Sequence, residues 1–303
     1  MREASAFAPG HVTGFFQICD SPENPLLKGS RGAGVSITKG VHTWVQAESA
    51  ESNSYIIFMN DEETGGAFVS ENVLSKMLAR LDRPHRVVVK HTVETPLGAG
   101  FGSSGGGAIS LALALNEALG LNMSYLEAAR VAHIAEIECR TGLGTVFAAT
   151  VGGFGALVKA GGPGIGEAIK YDRGDELSVV YLHFGPMATR DALSDLTIRR
   201  RINELGGSYV DRIKDDLRPG LFMELSRRFT DHVGIATLRL RVVLKEADRV
   251  GVPCAMAMFG EAAFSLVYED EAEEVAEAFR GAAPGHEVEI VRVEDRGAHL
   301  TGR

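Results

Sequence analysis

The chain has 303 residues, a formal net charge of -9 and 45% hydrophobic residues. That length allows one large domain or two intimate ones with ample core, and the acidic balance argues against general nucleic-acid binding. Cys19, Cys139 and Cys254 are isolated and the histidines are scattered, which speaks against a zinc site and fits a reducing, cytoplasmic compartment. No signal-type apolar stretch follows Met1, and the longest apolar run, residues 108–121, is interrupted by Asn116 and Glu117 and too short to cross a bilayer, so no membrane role is expected. In chain order, alternation predicts strands over 35–45 and 55–58, a polar turn over 60–66, a helix over 69–81 and a strand over 86–91. A glycine-rich loop and an apolar helix follow, with Gly120 as its stop. Ser124 and Glu127 form a capping box for a second helix that runs to about Arg140, and residues 141–145 make a turn. Strands are expected at 152–159 and 177–184. Between them Gly161–Gly166 reads as a hinge separating a unit of residues 1–165 from one of 166–303. Helical segments then fill 191–250 with breaks near Gly206, Pro219 and Gly234. Strands at 254–258 and 263–268, a helix at 271–280 and a strand at 288–293 complete a mixed α+β pattern with no regular βαβ alternation.

The loop is the most informative segment. Pro96, Leu97, Gly98, Ala99, Gly100, Phe101, Gly102, Ser103, Ser104, Gly105, Gly106 and Gly107 stand between a strand and a helix. Glycines at 98, 100 and 102 let successive amides line one concave surface, and first-turn amides and the helix dipole point the same way. Such a place suits a triphosphate. Ser103 and Ser104 supply hydroxyls that cap the helix or ligate a magnesium ion. Three further glycines cost about 1 kcal/mol each in a helix interior, a cost that close approach of a bulky ligand would explain. A plain strand-to-helix turn with a serine cap is the alternative. The loop lacks the Gly-Lys-Ser/Thr ending of a Walker motif, and no acidic residue follows as in a dinucleotide fingerprint.

This loop resembles the second motif of the GHMP kinase superfamily, Pro-x-x-x-Gly-Leu-Gly-Ser-Ser-Ala, with Phe101 for the usual Leu and Gly105 for the usual Ala. Residues 8–16, Ala-Pro-Gly-His-Val-Thr-Gly-Phe-Phe, look like its first motif, with His11 where a basic residue is usual; residues 255–261 resemble a thinned third motif around Gly260. Residues 8–16, 29–34 (Gly-Ser-Arg-Gly-Ala-Gly) and 141–145 (Thr-Gly-Leu-Gly-Thr) bring the chain nearest to the archaeal pantoate kinases within that superfamily. The resemblance implies an N-terminal ribosomal-S5-domain-2-like half, a C-terminal ferredoxin-like half and an active site in the cleft between them. It also implies ATP-dependent phosphorylation of the primary alcohol of pantoate, on the route to coenzyme A.

On this resemblance Pro96, Gly98, Ala99, Gly100, Gly102, Ser103, Ser104 and Gly105 bind the ATP phosphates. Ser104 is the first choice for a magnesium ligand, Ser103 the second. Glu136 lies in a segment similar to the one carrying the family's acidic metal ligand; an i,i+4 pair with Arg140 on a solvated face is the alternative. Many members place an Asp base in the following turn, where this chain has Thr145. Homoserine kinase also lacks that base, so direct attack by the substrate hydroxyl, oriented by Thr145, is expected. Pantoate carries a carboxylate, for which Arg31 is the leading partner. His11 and, more remotely, Arg190 are further substrate-site candidates. A kinase for another small alcohol, such as homoserine or an isoprenoid precursor, and a nucleotide-binding regulator without catalysis stay open. So does the oligomeric state, for which a homodimer is the commonest symmetric assembly.

Overall fold

The computed structural model describes residues 1–187 and 193–302. An eight-stranded sheet dominates the first half, with the path β12-β1-β2-β5-β3-β4 and with β6 on β2 and β7 on β6. Its spine is a long antiparallel hairpin of β1 (Arg2–Cys19) and β2 (Gly29–Ser49). Register shifts at Pro9/Gly10 and Thr13/Phe15 bend β1; such bulges re-aim side chains beside functional sites. The length of β2 lets it serve two neighbours. Its C-terminal part pairs with β5 (His85–Val93), and residues 32–35 pair with β6 (Phe154–Lys159). β3 (Ser54–Met59) runs parallel to β5, and β4 (Glu62–Glu63) closes that edge.

Three helices cover one face: α1 (Phe68–Leu78), α2 (Ser103–Leu119) and α3 (Tyr125–Cys139). They bury Leu74, Met77, Ile109, Leu111 and Leu115 against Val45, Val87 and Val89. α2 is apolar nearly all round because it lies between the sheet and the other helices. Gly120 at φ 64° ends it, and the Ser124–Glu127 capping box starts α3, as their sequences dictate. α4 (Thr145–Val151) follows the turn after α3.

The second half is built on a four-stranded antiparallel sheet ordered β11-β8-β10-β9, from β8 (Leu177–Gly185), β9 (Ala255–Met256), β10 (Glu261–Tyr268) and β11 (Val288–Arg292). Helices α5 (Leu196–Asp215), α6 (Pro219–Val233) and α7 (Leu238–Val250) lie between β8 and β9, and α8 (Ala272–Ala282) between β10 and β11. Counted within this sheet the strand order is 4-1-3-2, the split βαβ arrangement of ferredoxin-like folds.

Three expectations are corrected. Gly161–Gly166 is no hinge between halves: it joins β6 to β7 (Glu167–Lys170) inside the first sheet, and Gly162 N donates to Leu26 O at 2.9 Å. The change of sheet falls later, between Lys170 and Leu177. The chain end then returns to the first sheet, where β12 (His299–Thr301) pairs with β1. Gly206 does not break its helix but sits inside α5. A side chain there would collide with the Phe16 carbonyl, so glycine lets α5 press onto β1. One large core unites the halves, with Phe15, Phe16 and Val35 of the first sheet packed among Phe222, Phe229 and Phe264.

Candidate active site

The phosphate loop takes the shape its glycines allow. Gly98, Gly100 and Gly102 adopt φ of 71°, 86° and 67°, a left-handed region that L side chains rarely enter. Ala99 N bonds Pro96 O and Gly106 N bonds Gly102 O. Between them the amides of residues 100–105 donate to no protein acceptor among the described residues. Unpaired amides at a helix start are an anion site in waiting. Phe101, only 1% exposed, anchors the loop by packing its ring against Tyr181 at 4.5 Å between centroids.

The serines divide their roles. Neither caps the helix: the N-cap position is Gly102, with no side-chain cap bond. Ser103 Oγ lies 3.1 Å from Thr95 Oγ1, whereas the Ser104 hydroxyl stands beside the Glu136 carboxylate in the cleft, close enough to lower its pKa. Glu136 is 2% exposed, which removes the solvated-face alternative. Arg140 cannot pair with it along a helix face, because Arg140 is the left-handed C-cap at φ 57°, where the helix ends. Thr141 Oγ1 also donates to Glu136 Oε1, at 3.1 Å. Desolvation raises the Glu136 pKa above the ordinary carboxylate range, and the hydroxyls of Ser104 and Thr141 partly oppose that rise. No basic side chain forms an ion pair with it among the described residues. A buried carboxylate with a hydroxyl beside it and no protein cation is a donor set that fits a hard divalent cation. No cluster of three or more His, Cys, Asp or Glu suited to a metal occurs among the described residues. That is compatible with magnesium, which takes one or two protein ligands beside phosphate oxygens and water.

A cleft of about 200 Å³ joins these parts. His11, Thr13 and Ser30 line one wall; Gly98, Gly100–Gly105 and Glu136 a second; Thr141–Thr145 a third; Met258 and Phe259 close it from the other half. Backbone bonds tie the walls: His11 N donates to Phe101 O at 2.9 Å, Met258 N to Thr13 O at 3.1 Å and Met187 N to Gly98 O at 2.8 Å. Gly260 lies so close to the loop that a side chain would overlap the Ala99 carbonyl, so the three glycine-bearing segments of the sequence meet at one place. His11 Nδ1 is 3.3 Å from Ser36 Oγ, and burial lowers its pKa to about 4, so the ring is neutral at physiological pH. Thr145 begins α4 and packs its methyl against Gly102 and Gly105: a Cβ on Gly105 would stand 2.9 Å from Thr145 Cβ and Cγ2.

Arg31 is not in this cleft. It belongs to β2 between Ser30 and Gly32, which line the cleft, but its own side chain is held on partners outside it. There Nε donates to Val158 O at 2.9 Å, Nη1 to Gln17 Oε1 at 3.2 Å, and Nη2 pairs with Asp211. The guanidinium is already engaged. Arg190 lies outside the described residues. Ser30 and Thr13 take wall positions that residue type alone did not mark, although strand alternation around Arg31 and His11 was the available signal.

A second feature had no sequence signal. Ser70, His91, Thr43 and Ser110 form a buried hydrogen-bonded chain beneath α2, with His91 Nε2–Ser70 at 3.1 Å, His91 Nδ1–Thr43 at 2.8 Å and Thr43–Ser110 at 2.5 Å. Ser110 Oγ donates to Gly106 O at 2.8 Å, so the chain ends on the first turn of the loop helix.

Comparison with known proteins agrees with this arrangement. Residues 69–153, which hold the loop and α3, match the model for the GHMP kinases N terminal domain. Pantoate kinase of Thermococcus kodakarensis is 34% identical over 272 residues, 88% of this chain and 89% of the relative. The chain belongs to the pantoate kinase family of GHMP kinases. Pantoate kinase of Methanocaldococcus jannaschii is 32% identical over 88% of this chain and 94% of the relative. Among solved structures, a phosphotransferase related to the CoA biosynthesis pathway superposes with a TM-score of 0.88 at 29% identity, covering 99% of this chain and 98% of the other. A homoserine kinase from Cytophaga hutchinsonii shares the fold alone, with a TM-score of 0.71 at 17% identity and coverage of 99% and 98%.

Proposed function

We propose that this chain transfers the γ-phosphoryl group of ATP to the primary hydroxyl of pantoate, giving 4-phosphopantoate on the route to coenzyme A. The observation that carries the reading is the row of amides at 100–105, unpaired among the described residues, beside the buried Glu136. Identity to pantoate kinases over most of the chain supports the acceptor. Phosphoryl transfer asks for position and charge neutralisation more than covalent chemistry from the protein. The loop amides receive the phosphate tail. Ser104 and Glu136 would hold a magnesium ion, which when bound would neutralise charge on the phosphates. Glu136 is the one carboxylate lining the cleft among the described residues, and none of those residues offers a second carboxylate as a base. The acceptor hydroxyl attacks directly and its proton passes late to a phosphate oxygen, while Thr145 orients that hydroxyl. Neutral His11 offers a hydrogen bond to the acceptor from the opposite wall. The presence of Ser104 beside Glu136 disfavours a regulator without catalysis. The reaction fits the cytoplasm, and no described helix is long and apolar enough to cross a membrane.

Purified protein with magnesium-ATP and, separately, pantoate, homoserine, mevalonate or shikimate, followed by ADP release, tests the proposal. Turnover confined to pantoate is expected. Turnover with a different alcohol and none with pantoate would move the chain to another acceptor.

A further inference from the structure

With Arg31 engaged elsewhere, the acceptor's carboxylate has no partner in the cleft described so far. A second cavity adjoins that cleft and shares Gly142, Leu143 and Leu193 with it. It opens between the ends of the β1–β2 hairpin, the C-terminus of α3 and the start of α5. Lys28, Arg140 and Arg199 bring three cations to its wall, and Asp20 one anion. Arg199 Nη2 donates to both Asp20 oxygens, at 2.9 and 2.8 Å, so those two charges cancel. Lys28 and Arg140 have no ion pair or side-chain hydrogen bond among the described residues. Arg140 is placed there by the left-handed C-cap of α3, which turns it off the helix face that carries Glu136. Ile137 and Leu196 make the remaining wall apolar. An open cavity with two uncommitted cations and an apolar side suits a small branched carboxylate.

We propose that Lys28 and Arg140 form the carboxylate subsite for the acceptor, a proposal that rests on the pantoate reading. The Gly142–Leu143 backbone is the common wall, and a side chain on Gly142 would collide with the Glu136 carboxylate. A molecule lying across this wall keeps its anion on the two cations and its hydroxyl beside Thr145 and the phosphate loop.

The test compares pantoate with its primary amide, pantoamide, which keeps the hydroxyl and loses the charge. The full chain and the Lys28→Gln, Arg140→Gln and double variants are assayed for kcat and KM with each acceptor at saturating magnesium-ATP. Each single variant should raise the KM for pantoate about tenfold, the scale of one charge-assisted hydrogen bond. The KM for ATP should not change, and Arg140→Lys should restore part of the loss. The parent's preference for pantoate over pantoamide should collapse toward parity in the double variant. An unchanged pantoate KM in an active parent and its variants, or a preference that survives the double substitution, overturns the subsite while leaving the pantoate reading intact. No pantoate turnover by the parent overturns that reading and this assignment with it. An equal rise in the KM values for ATP and pantoate means a merely structural effect and also refutes the proposal.

Discussion

Glu136→Gln should stabilise the protein and remove its activity at the same time. Desolvation pushes the Glu136 pKa above its unfolded value, so the ionised carboxylate increasingly opposes folding as pH rises from about 4.5 toward the folded pKa. Burying an ion costs several kcal/mol, and the Thr141 hydroxyl returns about 1.5–3 kcal/mol as a bond to a charged group. Glutamine has nearly the same shape and still accepts from Thr141. Neutralisation should therefore stabilise the ligand-free protein by about 1–2 kcal/mol, a rise of about 1.5–3 °C in melting temperature for a chain of this size. On the proposed role of Glu136 in holding magnesium, turnover should fall at least about a hundredfold, because its loss acts on the transition state. Melting curves at pH 7.5 with and without magnesium-ATP, beside a turnover assay, read both effects. The parent should gain stability from magnesium-ATP and the variant should gain much less. A variant that melts below the ligand-free parent, or that keeps the full magnesium-dependent gain, refutes the reasoning.

Other outcomes follow from the same geometry. Gly105→Ala places a methyl 2.9 Å from Glu136 Oε2 and from Thr145 Cβ and Cγ2, so it should cut kcat/KM at least about tenfold while the far-ultraviolet circular dichroism is preserved; undiminished kcat/KM counts against the packed arrangement. Thr145→Val keeps the shape and removes the hydroxyl, so kcat should drop about tenfold with the ATP KM unchanged, whereas a purely packing role predicts no change. His91, buried and held near pKa 4 by desolvation, lies below its unfolded value of 6.5, so its contribution is complete above pH 6.5 and is lost as pH falls toward 4. Between pH 7 and 4.5 the loss amounts to about 2.5 kcal/mol in urea unfolding, and His91→Gln, which cannot titrate, should show an acid loss smaller by about that amount.

What could be read from the sequence was what local chemistry decides. Gly98, Gly100 and Gly102 needed no tertiary information to mark a left-handed loop, nor did Gly120 and the Ser124–Glu127 box to bound two helices. Ser104 and Glu136 were legible through motif position, and their meeting needed only the turn from α2 into α3. Arg31 was not legible, because the face on which a strand residue points depends on a register set by β1 and β6. Gly206 misled for a related reason: its helix is held by the approach of Phe16, a partner far away in sequence. Lys28 and Arg140 look like ordinary surface charges until the hairpin end and the C-cap of α3 face one another. The short β7 and β12 carry too few residues to show alternation and exist through pairing with β6 and β1.

Mass analysis of the acceptor after incubation with magnesium-ATP bears most directly on phosphoryl transfer at the Ser104–Glu136 cleft. Pantoate should gain the mass of one phosphoryl group on its primary oxygen, with one ADP formed per product and none of that product from the Glu136→Gln variant. ADP formed without phosphorylated pantoate, or product formed undiminished by the variant, would contradict the account.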